Sequence, residues 1–279
     1  MVVIMRSVIL VHGFWHGSWC WSPVSELLAA RSIPSVAVDL AGHGLRSSSP
    51  ASRWARPFDS AAFATEIAPS AEVTATSAAA VLVEQIRRIG GGEQCVVVAH
   101  SMGGVVATAA AEQAPELFAH LMYVAAFAPI SGLAAADYLA TPDGEGTLVP
   151  GLLVADPAVV GALRIDAGDP VRQAEIRETF YQDVDLATAA AATGLLTPDG
   201  PAGVTGERFA VTPERYGAVP HSYVVCAKDN AVPVRLQRRF VREMDEISAG
   251  PTRVTELDSS HSPFLSCPAD LVEAVAAIW

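Results

Sequence analysis

One serine in this sequence stands in a setting that makes a serine chemically reactive. Ser101 follows the buried apolar run 95–99 and precedes a stretch rich in small residues, 102–113. The segment Ala99-His-Ser-Met-Gly103 fits the nucleophile elbow G-x-S-x-G, except that alanine replaces the first glycine. The residues two before and two after such a serine must be small so that strand and helix can approach, and Ala99 adds only one methyl group. We predict that Ser101 is a nucleophile at a helix N-terminus, where a developing oxyanion is favoured.

A nucleophilic serine needs a base, and the base needs an orienting carboxylate. In folds with this elbow the chain order is serine, then acid, then histidine. His261 follows the predicted strand 252–257 and is the predicted base. Asp229 follows the predicted strand 222–226, at a strand end where catalytic groups gather, and is the predicted acid. Asp258 stays open as an alternative acid, although a residue this close to His261 would have to fold back to reach it. The other histidines considered are predicted to be loop or strand-edge residues: His43, His120 and His221.

An oxyanion hole requires two backbone N–H donors. One is expected from Met102, directly after the nucleophile, and the other from Phe14, in the loop after the first predicted strand. Gly13 lets the backbone approach the substrate closely, and Gly13 and Trp15 are candidate substrate-pocket residues. Phe14 is also a candidate for substrate contact. His12 is interpreted as a brace for this loop rather than as a catalytic residue.

These residues require a sheet whose strand ends meet at one edge. Short β-branched runs alternate with helical patterns, which indicates a mostly parallel sheet with crossover helices on both faces. Strands are predicted over 7–11, 33–38, 95–99, 120–126, 222–226 and 252–257, and helices from Ser22 and over 71–89, 102–113 and 233–245, with a closing helix near the C-terminus. Residues 46–69 read as irregular. The sequence therefore predicts an α/β fold.

The stretch after Pro129 carries no clear buried strand for some 85 residues. A long insertion of this kind in a compact domain is usually functional, for example as a lid. We predict one domain, with a core of residues 1–129 and 218–279 and a helical lid of residues 130–217, inserted after the strand 120–126. Four aromatic residues of the lid line the pocket or form the lid's own core: Phe180, Tyr181, Phe209 and Tyr216.

Composition excludes several classes of function. The 279 residues carry a formal net charge of −12, and no Lys/Arg cluster exceeds a pair, which argues against nucleic acid as a partner. The four cysteines lie far apart without a metal-ligand spacing, so we expect no metal and no disulfide framework. No apolar run is long enough to span a membrane, and the run 2–11 is interrupted by Arg6 and lacks a basic start. We expect a cytoplasmic protein with a small-molecule substrate and without a cofactor.

The chain resembles an α/β-hydrolase over about residues 1–130 and 218–279. Within that superfamily Val11-His-Gly-Phe-Trp-His-Gly-Ser-Trp-Cys-Trp21 is similar to the plant methylesterase and hydroxynitrile lyase group, and so is the acid loop with Lys228-Asp229, Pro233 and Phe240. The resemblance implies the triad Ser101, Asp229 and His261, with Phe14 and Met102 as oxyanion donors.

The resemblance also bears on the reaction. The lyase branch carries Thr in the first loop and Lys directly after the base, where this chain has Gly13 and Ser262. Epoxide and haloalkane hydrolases carry Asp at the elbow. The expected reaction is therefore hydrolysis of a small or medium carboxylic ester, lactone or thioester. Two alternatives stay open. One is lyase, cyclase or cofactor-free oxygenase chemistry on an aromatic or polyketide-like metabolite with the same triad, and the other is a non-enzymatic ligand binder.

Overall fold

A parallel sheet forms the centre of the protein in a computed structural model that describes residues 6–279. The strands are β1 (Val8–Val11), β2 (Ser35–Val38), β3 (Cys95–His100), β4 (Phe118–Val124), β5 (Ala162–Arg164), β6 (Asp199–Pro201), β7 (His221–Cys226) and β8 (Arg253–Leu257). Six of them form one sheet in the order β2-β1-β3-β4-β7-β8, and every neighbouring pair is parallel. The predicted central, mostly parallel sheet is confirmed.

Helices connect and cover these strands. They are α1 (Ser22–Ala30), α2 (Ser60–Thr65), α3 (Ala75–Gly90), α4 (Gly103–Gln113), α5 (Ala135–Leu139), α6 (Pro157–Val160), α7 (Pro170–Phe180), α8 (Leu186–Gly194), α9 (Ala202–Gly206), α10 (Val234–Ile247), α11 (Pro263–Ser266) and α12 (Pro268–Ala276). No helix in the described part of the chain is both long and apolar enough to cross a membrane.

Both faces of the sheet are buried, which explains why its strands are apolar at consecutive positions. Ile9 and Val11 of β1 belong to the core on the side of α3, α4 and α10, whereas Val8 and Leu10 face the core on the side of α1 and α12. Neighbouring strand residues point to opposite faces of a sheet. The two faces therefore have separate hydrophobic cores, and the carboxyl ends of the strands are left free for the site.

Several element ends differ from the predicted ones for local reasons. Helix α3 begins later than predicted because Thr74 caps it in a capping box with Ser77, and it ends where Gly91 takes a φ of 59°. Strand β4 ends before the predicted residue 126 because Ala125 has a φ of 44°. The region 46–69, predicted to be irregular, contains α2, whose first N–H groups are capped by the carboxylate of Asp59.

The segment 130–217, which we call the lid, is not purely helical. Strands β5 and β6 pair antiparallel, which corrects the prediction of a helical lid without a clear buried strand. Arg164 of β5 is fully buried and binds the Asp199 carboxylate of β6 with two hydrogen bonds of 2.6 and 2.9 Å. A further bond of 2.7 Å runs from Arg164 to the carbonyl of Glu66, which fastens the lid to the segment after α2. The division into core and lid stays a prediction. Residues 1–5 of the predicted core, which include the start of the apolar run 2–11, lie outside the described part of the chain.

Candidate active site

Ser101 occupies the sharp turn between β3 and α4. Its φ is +52°, in the left-handed region that side chains other than glycine rarely adopt. Gly103 is required two residues later, because a Cβ atom there would lie 2.3 Å from the carbonyl oxygen of His12. Ala99, two residues before, is fully buried in β3. The alanine in place of the usual glycine is therefore compatible with the turn, and the serine stands at the carboxyl edge of the sheet.

The structure brings Ser101, His261 and Asp229 into one chain of hydrogen bonds. His261 follows β8, and its Nε2 lies 2.9 Å from Ser101 Oγ, while its Nδ1 lies 2.8 Å from Asp229 Oδ2. Because a carboxylate only accepts hydrogen bonds, the proton lies on Nδ1, and Nε2 is free to accept the Ser101 hydroxyl proton. Asp258 lies elsewhere: its side chain is 82% exposed and accepts from Lys228 at 2.8 Å. The alternative acid therefore does not reach the histidine.

The Asp229 carboxylate is held from both sides. Its Oδ1 accepts the N–H groups of Ala231 and Val232 at 2.7 and 2.8 Å, and its Oδ2 accepts from Gln237 Nε2 at 3.2 Å. Gln237 is fully buried in α10 and also accepts the N–H of Cys226. Sequence reasoning missed Gln237. The available signal was a polar residue within the apolar stripe of an amphipathic helix, because Phe240 and Met244 follow it on the same buried side.

The loop after β1, residues 13–16, lies against the nucleophile, and we call it the oxyanion loop. A Cβ atom on Gly13 would lie 2.6 Å from Ser101 Cβ, so only glycine permits this approach. Within residues 6–279 neither the Phe14 N–H nor the Met102 N–H donates to another protein group. Met102 stands at the N-terminus of α4, where the helix dipole favours negative charge. Two free donors therefore flank the serine, as an oxyanion hole requires.

His12 braces this loop. Its Nδ1–H donates to the carbonyl of Gly13 at 2.7 Å, and its Nε2 accepts the N–H of Leu40 at 3.1 Å. Both ring nitrogens are thus occupied, and burial lowers the pKa of His12 to about 4. The residue is a neutral structural histidine and does not touch the triad through these contacts.

A cavity of about 250 Å³ opens beside Ser101. Trp15, Phe14 and Met102 line it, but Gly13 does not. The lid contributes mainly aliphatic and aromatic side chains to its wall, among them Leu139, Val149, Leu153, Leu163 and Phe180. Of the four lid aromatics only Phe180 lines the cavity, while Tyr181 binds His16 and Tyr216 binds Tyr123. No charged side chain lines it among the residues that the structure describes.

The site combines three polar side chains with two backbone N–H donors. Across residues 6–279 no three His, Cys, Asp or Glu side chains meet in a way that could hold a metal ion. His43 packs against His12 and Phe14. His120 and His221 lie near the amino-terminal ends of β4 and β7, whereas Ser101 stands at the carboxyl edge of the sheet. The arrangement brings the predicted nucleophile, base and acid together with two free N–H donors.

Three buried histidines around the oxyanion loop make the fold sensitive to acid. Burial lowers the pKa of His12 to about 4 and the pKa values of His16 and His43 to about 3, whereas unfolded histidine titrates near 6.5. Between pH 6.5 and about 4 the unfolded chain therefore binds more protons than the native protein. We expect the free energy of unfolding to fall as the pH is lowered through this window, by roughly 1.4 kcal/mol per pH unit for each histidine.

Urea unfolding in steps from about pH 7 to about pH 4.5 measures this slope. The variant His43→Phe keeps a ring against Phe14 and removes one titrating group. Its slope should be smaller than that of the wild type by roughly 1.4 kcal/mol per pH unit. An identical slope would contradict the assignment of His43 as a buried neutral group.

Comparison with known proteins gives the same fold, and the similar proteins include esterases and a hydrolase. The sequence profile described as the alpha/beta hydrolase family matches residues 8–274. The chain is similar to Methylesterase 7 of Arabidopsis thaliana, with 29% identity covering 95% of this chain and 93% of that one. Similarity to Methyl jasmonate esterase 1 of Vitis vinifera is 26% over 95% and 94% of the two chains. Among solved structures, a pyrethroid hydrolase from Sphingobium faniae superposes with a TM-score of 0.75 at 23% identity, over 98% of this chain and 96% of that one.

Proposed function

This chain belongs to the alpha/beta hydrolase family and is a carboxylic ester hydrolase of that family, and from that premise we propose that it works through an acyl-enzyme on Ser101. The observation that carries the proposal is the continuous chain of hydrogen bonds from Ser101 through His261 to Asp229. Such a chain supplies the base that a serine hydroxyl needs and the acid that fixes the tautomer of that base.

In the first half of the reaction His261 Nε2 takes the proton of Ser101 as the serine oxygen bonds to the ester carbonyl carbon. The carbonyl oxygen becomes an oxyanion between the Phe14 and Met102 N–H groups, which donate to no other group within residues 6–279. The bond to the alcohol oxygen then breaks, and His261 returns its proton to the leaving alcohol. Asp229 stays ionised throughout and stabilises the imidazolium.

In the second half a water molecule repeats these steps. His261 removes a proton from water as the water oxygen bonds to the acyl carbon, and the oxyanion forms in the same place. The bond to Ser101 Oγ breaks, Ser101 regains its proton from His261, and the carboxylic acid leaves. The net reaction consumes one water and yields an acid and an alcohol.

The oxyanion loop favours hydrolysis over cyanohydrin cleavage. The resemblance assigns the lyase reaction a threonine at the position of Gly13, but a Cβ atom there would lie 2.6 Å from Ser101 Cβ. The position after His261 is Ser262, which is uncharged and fully buried. The chain therefore lacks the two side chains that the lyase reaction uses.

The cavity beside Ser101 supports an uncharged substrate of small or medium size. Its volume of about 250 Å³ holds roughly eight water-sized groups, and its wall is almost entirely apolar. With 4-nitrophenyl esters of increasing acyl length we expect kcat/KM to peak at short to medium chains. The hexadecanoate should react at least about tenfold more slowly, because overfilling a packed cavity costs roughly 1–3 kcal/mol.

A matched pair of lid variants checks this size limit. Ala202→Leu fills part of the cavity and should shift the preference toward shorter acyl chains. Ala190→Leu makes the same change at an exposed position of α8 and should leave the profile unchanged. Equal profiles for Ala202→Leu and the wild type would contradict the assignment of this cavity as the acyl pocket.

Intact-mass labelling with a small fluorophosphonate tests the proposed mechanism. We expect one adduct on the wild type and none on Ser101→Ala. Absence of an adduct on the wild type would contradict the activation of Ser101 and favour a non-enzymatic ligand binder. Turnover in ¹⁸O water then separates hydrolysis, which places one solvent oxygen in the acid product, from lyase or cyclase chemistry on the same three residues, which does not.

A further inference from the structure

We propose that Tyr181 and His16 are positioning residues through which the lid holds the oxyanion loop in its working conformation. The inference rests on the proposed function, since it assigns these two residues to the step in which the oxyanion forms. It also gives the lid a second task besides enclosing substrate: the lid sets the geometry of donors that belong to the core.

Three groups form a buried relay of hydrogen bonds from the lid to this loop. The Tyr181 hydroxyl lies 2.6 Å from His16 Nε2, and His16 Nδ1 lies 2.8 Å from the carbonyl oxygen of Phe14. A carbonyl oxygen only accepts, so Nδ1 carries the proton and Nε2 must accept from the Tyr181 O–H. The direction of both bonds is therefore fixed, and the relay ends on Phe14, whose N–H is the proposed oxyanion donor.

Burial makes this relay hard to replace. Tyr181 is fully buried and His16 is 2% exposed. Water therefore has no ready access to His16 Nε2, and removal of the tyrosine hydroxyl leaves a buried nitrogen without a partner. The ring of His16 also packs edge-on against Phe180 and Tyr181. The imidazole is thus clamped by the lid as well as bonded to it.

The loop needs external support because its backbone is strained. Trp15 has a φ of +63°, an unfavourable conformation for a bulky residue. Further hydrogen bonds from the lid stabilise it: the Thr197 N–H donates to the Trp15 carbonyl at 2.8 Å, and Trp15 Nε1 donates to the Leu163 carbonyl at 2.9 Å. The oxyanion loop is therefore held from outside by the lid as well as from within by His12.

The relay does not include the triad, so its loss should separate two kinetic effects. The Tyr181 hydroxyl bonds to His16 and to none of Ser101, His261 and Asp229. We expect a weaker relay to reduce stabilisation of the oxyanion while leaving ground-state binding unchanged. Loss of a whole oxyanion donor lowers kcat by roughly 10²–10³, and a displaced donor should retain part of that effect.

Two tyrosine-to-phenylalanine variants test the proposal. Tyr181→Phe and Tyr216→Phe each delete one fully buried hydroxyl, and that of Tyr216 bonds to Tyr123, neither of which lines the cavity beside Ser101. With 4-nitrophenyl butanoate we expect Tyr181→Phe to lower kcat about tenfold with little change in KM, and Tyr216→Phe to keep the kcat of the wild type. Affinity for a butyl trifluoromethyl ketone, whose adduct on Ser101 carries an oxyanion, should fall by the same factor as kcat/KM in Tyr181→Phe only.

Variants of His16 give a second test, which stays informative if the variants are less stable than the wild type because it compares two substitutions at one position. His16→Asn retains a side-chain N–H for the Phe14 carbonyl, whereas His16→Leu retains none, so we expect Asn to keep more kcat than Leu. Equal kinetics and ketone affinity for Tyr181→Phe and Tyr216→Phe, with Asn no better than Leu, would overturn the inference. If the wild type neither hydrolyses esters nor takes up fluorophosphonate, the proposed function fails instead, and the two failures are distinct.

Discussion

Replacement of Ser101 by alanine is expected to lower kcat by on the order of 10⁶, because the variant has no oxygen that can form the acyl-enzyme. The change removes one atom from a turn whose backbone is fixed by Gly103 and by the close approach of Gly13. The fold should therefore survive, and KM should change far less than kcat. Initial rates with 4-nitrophenyl butanoate, corrected for spontaneous hydrolysis, measure the loss.

The matched control is Ser222→Ala, which deletes a buried serine hydroxyl that bonds to His120 near the opposite end of the sheet. This variant should keep the kcat of the wild type. The double variant Ser101→Ala/His261→Ala should be no slower than Ser101→Ala alone, because residues of one catalytic unit do not contribute additively. A Ser101→Ala enzyme that retained most of its activity would disprove the acyl-enzyme.

Asp229→Asn is expected to lower kcat by about 10⁴ with little change in structure. The asparagine oxygen can still accept the N–H groups of Ala231 and Val232, so the turn should persist. Its amide NH₂ then faces His261 Nδ1 and donates to it, which moves the imidazole proton to Nε2. In that tautomer the base cannot accept the proton of Ser101.

Asp258→Asn is the matched control, since it makes the same chemical change on the loop that carries His261. Asp258 is exposed and pairs with Lys228, so its charge contributes little to the site. We expect kcat within about twofold of the wild type. The reverse result, with a large loss for Asp258→Asn and a small one for Asp229→Asn, would show that the acid is assigned to the wrong residue.

The parts of the site that sequence reasoning could reach are those with a local signature. A serine between a buried strand and a small-residue helix is recognisable because the elbow imposes its own composition, and chain order then points to a histidine and an acid at later strand ends. The preference for Asp229 over Asp258 followed from its position after a buried strand. The structure brings the same three side chains together.

The parts that sequence reasoning missed depend on contacts between distant segments. His16 and Tyr181 are 165 residues apart, and neither lies in a periodic pattern that would reveal the partner. Strands β5 and β6 are three residues each, too short for an alternating pattern. Gln237 is different, because its partners Asp229 and Cys226 lie within 11 residues of it and its place in the apolar stripe of α10 was a local signal. Tertiary packing, not local propensity, decides the other two features.

The uncharged wall of the cavity beside Ser101 has a consequence for how a turnover ends. Hydrolysis converts a neutral ester into a carboxylate, and no cationic side chain among the described lining residues can offset that charge. An unpaired anion is costly to keep in apolar surroundings, and the net charge of −12 repels it further. The cleaved acid should therefore leave readily and inhibit far more weakly than a neutral amide of the same shape, which competition assays against the ester measure directly. We therefore expect the rate of hydrolysis to change little as product accumulates, because the charge that the reaction creates disfavours binding of the product.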